Sequence, residues 1–146
     1  MAAEVGNNAA DVGQLLPMLK AVQTNTGKAP EQALADAGYR SEENFAGLAG
    51  SGTELVVALG REGKRCAEID VDEYPLTAAM AARLQTDDGR AAYRKRKWIA
   101  EPPNGWIKSV LGFRQFSLRG LQRVQAEFKI VCLALNLRRM SCLKTA

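Results

Sequence analysis

The sequence predicts an α/β fold with a helical C-terminal part, and three observations carry that prediction. Helical and strand-like segments alternate over the first 60 residues, both strand candidates are short apolar runs suited to burial, and the chain closes on one long helical pattern. In order, Asp11 is placed to cap a helix with Leu15, Leu16, Leu19 and Val22 on its apolar side, ending near Gly27, with Pro17 expected to shorten or kink it. After Pro30, the run from Ala33 to Asp36 reads as a buried strand with an acid at its C-terminal end, stopped by Ala37-Gly38-Tyr39. Ser41, Glu42 and Glu43 then open a helix through Phe45 and Leu48, since acids in a first turn match the helix dipole. Beyond Gly50-Ser51-Gly52, the run Glu54 to Leu59 is a second strand, and helix, strand, helix, strand is the order of a parallel sheet.

From Gly60 to Pro75 the chain turns polar and loses its period, which suggests a connecting segment within an insertion of about residues 60–88. Leu76 to Leu84 is helical in pattern. Asp87-Asp88-Gly89-Arg90 is placed to cap a helix from Arg90 through Ile99, which Pro102 and Pro103 should kink or interrupt just after Glu101. In the final segment Leu121, Val124, Phe128, Val131 and Leu135 follow helical spacing, with Ile130, Leu133, Leu137 and Met140 on a neighbouring stripe. That pattern predicts a helix buried on more than one side. No internal repeat is visible, and residues 1–146 are expected to form one domain.

A chain of 146 residues holds one domain with a core, and its 47% hydrophobic and 25% charged content excludes disordered, collagenous and low-complexity classes. The strongest apolar run, Ile130 to Leu137, is far short of the roughly 20 residues of a membrane span. The N-terminus has neither a basic start nor an apolar run, so no secretory signal is expected and a cytoplasmic location is. Cys66, Cys132 and Cys142 are odd in number and widely spaced, and free thiols are the expectation. The absence of histidine removes the commonest transition-metal ligand, the commonest general base and every Ser-His or Cys-His nucleophile. A metal in this chain must be held by carboxylates, which points to Mg2+ or Mn2+.

The net charge of +4 conceals two opposite halves. Residues 1–88 sum to −7, whereas residues 89–146 sum to +11 with only Glu101 and Glu127 acidic. So basic a stretch is the electrostatic footprint of a surface meeting nucleic acid or another polyanion; the plainer alternative is a solvated helix face. Two acids stand apart by context. Asp36 ends an apolar strand, where open α/β sheets place their ligands, and Glu101 lies among Arg94, Lys95, Arg96, Lys97 and Lys108. A carboxylate on a strand end with another on a helix is an arrangement that holds a divalent metal against a phosphodiester. On context alone the plainer readings are favoured, Asp36 as a turn acid bonded to the amides of Gly38 or Tyr39 and Glu101 as a salt-bridged surface residue.

The block Leu34-Ala-Asp36-Ala-Gly38-Tyr39-Arg-Ser-Glu-Glu-Asn44 resembles the second catalytic block of bacterial insertion-sequence transposases of the DDE type. Tyr93-x2-Arg96-x4-Glu101-Pro-x5-Lys108 resembles the Tyr-Arg-Glu-Lys signature around that family's third acid. The stretch Leu111-Gly112-Phe113-Arg114 through Leu121 and the closing Val131-Cys132-Leu-Ala-Leu-Asn136-Leu137 continue the register, so the resemblance covers about residues 10–140. It implies a partial ribonuclease-H-like core whose acids bind magnesium ions. These support hydrolysis at the transposon end and strand transfer to target DNA. By the resemblance Asp36 is the second acid and Glu101 the third, both metal ligands, while Tyr93, Arg96 and Lys108 contact transposon-end DNA. Arg94, Lys95, Lys97 and Arg114 add to DNA binding as basic neighbours.

Where the family has an aromatic residue and a Gln after the proline, this chain has Pro103, Asn104, Gly105 and Trp106. The family's first catalytic Asp lies on a strand upstream of the block that begins here with Asp11. Nothing before Asp11 offers that strand, nor the helix-turn-helix region for end recognition. The expectation is therefore the C-terminal, truncated part of a transposase catalytic domain, inactive by itself. The alternatives are a non-catalytic fragment that binds DNA or intact transposase as an inhibitor, and a pseudogene remnant. Pairing with a further copy or with full-length transposase is expected from exposed sheet edges.

Overall fold

A computed structural model describes residues 3–7, 10–60, 69–99 and 101–144. The chain divides into two compact units, Ala9–Arg96 and a second made of Met1–Asn8 with Lys97–Ala146.

The first unit is mixed α/β. A short 3-10 turn, Val12–Gln14, leads into α1 (Leu15–Thr26), which Gly27 ends in the left-handed conformation (φ 74°) while its amide donates to the Gln23 carbonyl. Asp11 precedes that turn but makes no side-chain cap, contrary to the sequence expectation. Pro17 sits in the first turn of α1, where its missing N–H costs nothing, so it neither shortens nor breaks the helix. Strand β1 (Gln32–Ala35) and strand β2 (Glu54–Val57) pair in parallel, with Ala33 opposite Leu55 and Ala35 opposite Val57. Between them lies α2 (Glu42–Leu48), the crossover that a parallel pair needs. Val56 and Val57 are fully buried, and Leu15, Ala33, Ala35, Leu55 and Val57 form a core flanked by Leu19, Phe45 and Leu48. Each large aliphatic side chain so placed contributes about 1.5–3 kcal/mol of burial.

Residues 61–68, the middle of the expected insertion and the site of Cys66, lie outside the described residues. Beyond them the chain is ordered by local bonds: the Asp70 carboxylate accepts the amides of Asp72 and Glu73, and Pro75 opens α3 (Pro75–Gln85). Helix α4 (Asp87–Ile99) begins three residues earlier than its expected Arg90. The cap is the Thr86 hydroxyl, which accepts the Gly89 amide at 3.0 Å, so Asp87 and Asp88 sit inside the first turn instead of capping it.

The second unit is helical. Helix α5 (Glu101–Ser109) carries Pro102 and Pro103 in its own first turn, so the prolines open a helix there. Helix α6 (Leu121–Lys144) packs on α5 through Cys132 and Leu135, both buried. The expectation that α6 is buried on more than one side fails: Ile130, Leu133, Leu137 and Met140 are all more than half exposed, because no described element packs on that stripe. Among the described residues no helix is long and apolar enough to cross a membrane.

Candidate functional site

Asp36 leaves the C-terminal end of β1 in extended conformation and is exposed. Its carboxylate Oδ1 accepts the Gly38 amide at 3.0 Å and caps the 3-10 turn Ala37–Tyr39. The turn-acid role is thus present, and it engages one oxygen of a group that has about four lone-pair sites. A Cβ at position 38 would lie 3.1 Å from that same Oδ1, which explains a glycine two residues after the acid. Burial raises the pKa of Tyr39, and the charges of Asp11 and Asp36 push it further in the same direction.

The rest of the block is structural in ways its composition did not announce. The Ser41 hydroxyl caps α2 by accepting the Asn44 amide at 3.1 Å. Buried Asn44 donates through Nδ2 to the carbonyls of Val12 and Tyr39, both at 2.8 Å, tying the first turn of the chain to the turn after β1. Glu42 accepts the Leu76 and Thr77 amides and so caps α3. Sequence reading missed Asn44 and Glu42; their partners lie up to 35 residues away, and no local signal marks them.

The basic run lies on α4. Arg94, Lys95 and Lys97 are exposed and Arg96 is half-buried. The Arg96 guanidinium lies over the Tyr93 ring, 5.6 Å from its centroid, the neighbour relation expected one helical turn apart. These two candidates therefore act as one surface. The carboxyl of Glu54, at the start of β2, is lowered in pKa chiefly by the Gln32 side chain; burial opposes this, and Arg83 and Lys95 add to the lowering.

Glu101 opens α5, where a negative charge suits the helix N-terminus, and Lys108 closes it. Seven residues apart, they share a helix face about 10 Å along the axis. On the buried side, Ile107 enters the helix pair, and the Arg138 guanidinium stacks over Trp106 at 4.8 Å. Trp106, the departure from the family pattern, thus helps to lock α5 onto α6. It also borders an open groove of about 430 Å3 with Trp98, Pro102, Leu135 and Arg139. Arg114 is exposed in the loop that follows α5. That loop is held to α6 by Glu127, whose carboxylate accepts the Ser117 hydroxyl and the amides of Ser117 and Leu118. Phe116 seals the contact edge-on against Phe113 and Phe128.

Tyr93 and Arg96 are therefore together, Glu101 and Lys108 share a face, and Asp36 and Glu101 belong to different compact units. Among the described residues no group of three or more His, Cys, Asp or Glu is close enough to hold a metal ion. The oxygen donors nevertheless suit a hard cation in kind, since Mg2+ is commonly held by one or two carboxylates with water and substrate phosphates completing its shell.

A family model described as a transposase DDE domain matches residues 61–141, a stretch that includes Tyr93, the basic run, Glu101, Lys108 and Arg114 and that begins after Asp36. No curated protein and no solved structure matches the chain.

Proposed function

The chain belongs to the transposases with a DDE domain, and from that premise we propose that it supplies the DNA-holding surface and two of the three acids of a transposase core of ribonuclease-H-like type. Asp36 is the second acid and Glu101 the third, with Mg2+ or Mn2+ as the ion they hold. The bound ion supplies Lewis-acid stabilisation of charge on a phosphodiester. Tyr93 and Arg96, packed on one another, and Lys108, on the face of Glu101, contact transposon-end DNA. Arg94, Lys95, Lys97 and Arg114 hold backbone phosphates, contacts that fix register without reading bases. One observation supports this reading above the others: the matched stretch contains the whole Tyr93, Arg96, Glu101, Lys108 series, with Glu101 and Lys108 exposed on α5 and Tyr93 and Arg96 half-buried against one another on α4.

On this reading a polypeptide of these 146 residues binds both DNA and the metal ion. The test is calorimetric titration of Mn2+ into the chain with and without duplex DNA, beside Asp36→Asn and Glu101→Gln. Binding in the parent that either substitution abolishes is the expected result. Binding that survives both substitutions, or no binding by the parent, overturns the assignment of the two acids. The inhibitor reading keeps the same DNA surface without a metal, and DNA binding with no Mn2+ uptake is the result that favours it.

A further inference from the structure

The loop between α5 and α6, residues 110–120, is neither helix nor strand, yet it is held along its length. The amides of Leu111 and Phe113 donate to the Trp106 and Ile107 carbonyls, both at 3.0 Å, which fixes its start on α5. In its middle the Phe116 ring meets Phe113 and Phe128 edge-on, at centroid distances of 5.3 and 6.3 Å. Its second half is clipped to α6. The Glu127 carboxylate accepts the Ser117 amide at 2.9 Å, the Leu118 amide at 3.1 Å and the Ser117 hydroxyl.

The loop carries two cations and no acid. Arg114 and Arg119 are both exposed, and among the described residues neither is in an ion pair. Resting on the DNA-binding reading above, we propose that this loop is a preformed contact for the phosphate backbone of duplex DNA, with Arg119 as its second cation together with Arg114 and Glu127 as the positioning residue that fixes the loop carrying both. A guanidinium without a carboxylate partner is open to phosphate, whose oxygens it can take two at a time. Residues 97–146 sum to +7, so a polyanion is drawn to this unit. An arginine on a fixed loop also has less freedom to lose on binding than one on a loose loop.

Charge and clamp make opposite predictions for Glu127. Bonds from the Ser117 hydroxyl and amide lower its pKa, burial opposes them, and the Leu118 amide adds to the lowering, so the group is ionised at neutral pH. As a charge alone it repels phosphate, and its removal should tighten DNA binding. As a clamp it holds the loop, and its removal should weaken DNA binding.

Fluorescence anisotropy with duplex DNA over a salt series decides between them. Arg119→Ala is expected to lower the slope of log affinity against log salt by about 0.9. Glu127→Gln sets an amide N–H2 where a carboxylate oxygen accepted. It is expected to weaken binding at least about fivefold at every salt concentration while keeping the parent slope, since both arginines remain. Ser117→Ala, which removes one of the three donors and no charge, should weaken binding in the same direction. Arg94→Ala placed in the Glu127→Gln chain should still lower the slope by about 0.9, which separates loss of the clamp from loss of the fold. An Arg119→Ala chain with the parent slope, or a Glu127→Gln chain with native circular dichroism that binds as tightly as the parent or more tightly, overturns the proposal and leaves the DNA assignment of α4 standing. A parent that binds no duplex overturns both.

Discussion

The Glu42 carboxylate, in the first turn of α2, accepts the amide of Thr77 at 2.7 Å and that of Leu76 at 3.0 Å, and so caps a helix that begins 33 residues further along the chain. Tyr74, the residue before α3, offers no side-chain cap of its own. Partial burial pushes the Glu42 carboxyl up, but bonds from the Thr77 side chain and from the two amides outweigh it, and its pKa lies below the ordinary value of 4.5. A depressed folded-state value means stability that is present above the unfolded pKa and lost as pH falls through the folded one. Glu42→Gln should therefore lower the melting temperature by about 2–6 °C at neutral pH and lose that deficit as pH falls below about 4. Parallel thermal melts at pH 7 and pH 3 check it, and an equal deficit at both would show that charge is not what the cap contributes.

Gly89 opposes helix propensity to packing. It lies buried in the first turn of α4, and a Cβ there would sit 2.0 Å from the Arg83 carbonyl oxygen at the end of α3. Alanine gains about 1 kcal/mol of helix propensity over glycine. The obstacle is backbone, so α3 and α4 must separate, at a cost of about 1–3 kcal/mol or more for overpacking. The clash should win, and Gly89→Ala should destabilise the first unit in urea unfolding; a stabilised variant would mean that the α3–α4 turn yields freely.

Leu135 carries the α5–α6 contact. At 2% exposure on the inner face of α6, its truncation to alanine should cost about 2–5 kcal/mol in chemical unfolding of the chain. Leu133, two residues away and 55% exposed, should cost less than about 0.5 kcal/mol when truncated at concentrations where the chain is monomeric. Equal losses at the two positions would mean that α6 packs in a different rotation.

The difference between those two leucines shows where sequence reading reaches its end. The strands, their parallel order and helices α1 and α2 were legible because alternation, the Ser41 cap and the Gly27 stop are local signals. The start of α4 was misread because Thr86, Asp87 and Asp88 are all competent caps, and only the Gly89 amide's partner decides among them. Pro102 and Pro103 read as a break in one helix, whereas each is as compatible with the first turn of the next. Apolar periodicity located both stripes of α6 correctly. It could not say which stripe has a neighbour, since burial belongs to the pair of elements and not to one. For the candidate site, residue types and their order singled out Asp36, Glu101 and the basic run as candidates, while the structural duties of Glu42 and Asn44 depend on contacts more than 30 residues distant.

The four cations of the α4 run should not weigh equally on DNA. Each phosphate neutralised adds about 0.9 to the slope of log affinity against log salt. Arg94 and Lys97 are exposed, so Arg94→Ala and Lys97→Ala should each reduce the slope by about 0.9, to a similar extent on unrelated duplexes. Lys95 is exposed as well, and Lys95→Ala should reduce the slope to the same extent. Arg96, held over Tyr93, loses less freedom on binding than a mobile side chain, so Tyr93→Leu should weaken affinity at all salt concentrations while leaving the slope in place. Fluorescence anisotropy on two unrelated duplexes over a salt series measures all four variants, and a Tyr93→Leu chain that binds as the parent does at every salt concentration would mean that the Tyr93–Arg96 contact on α4 does not matter.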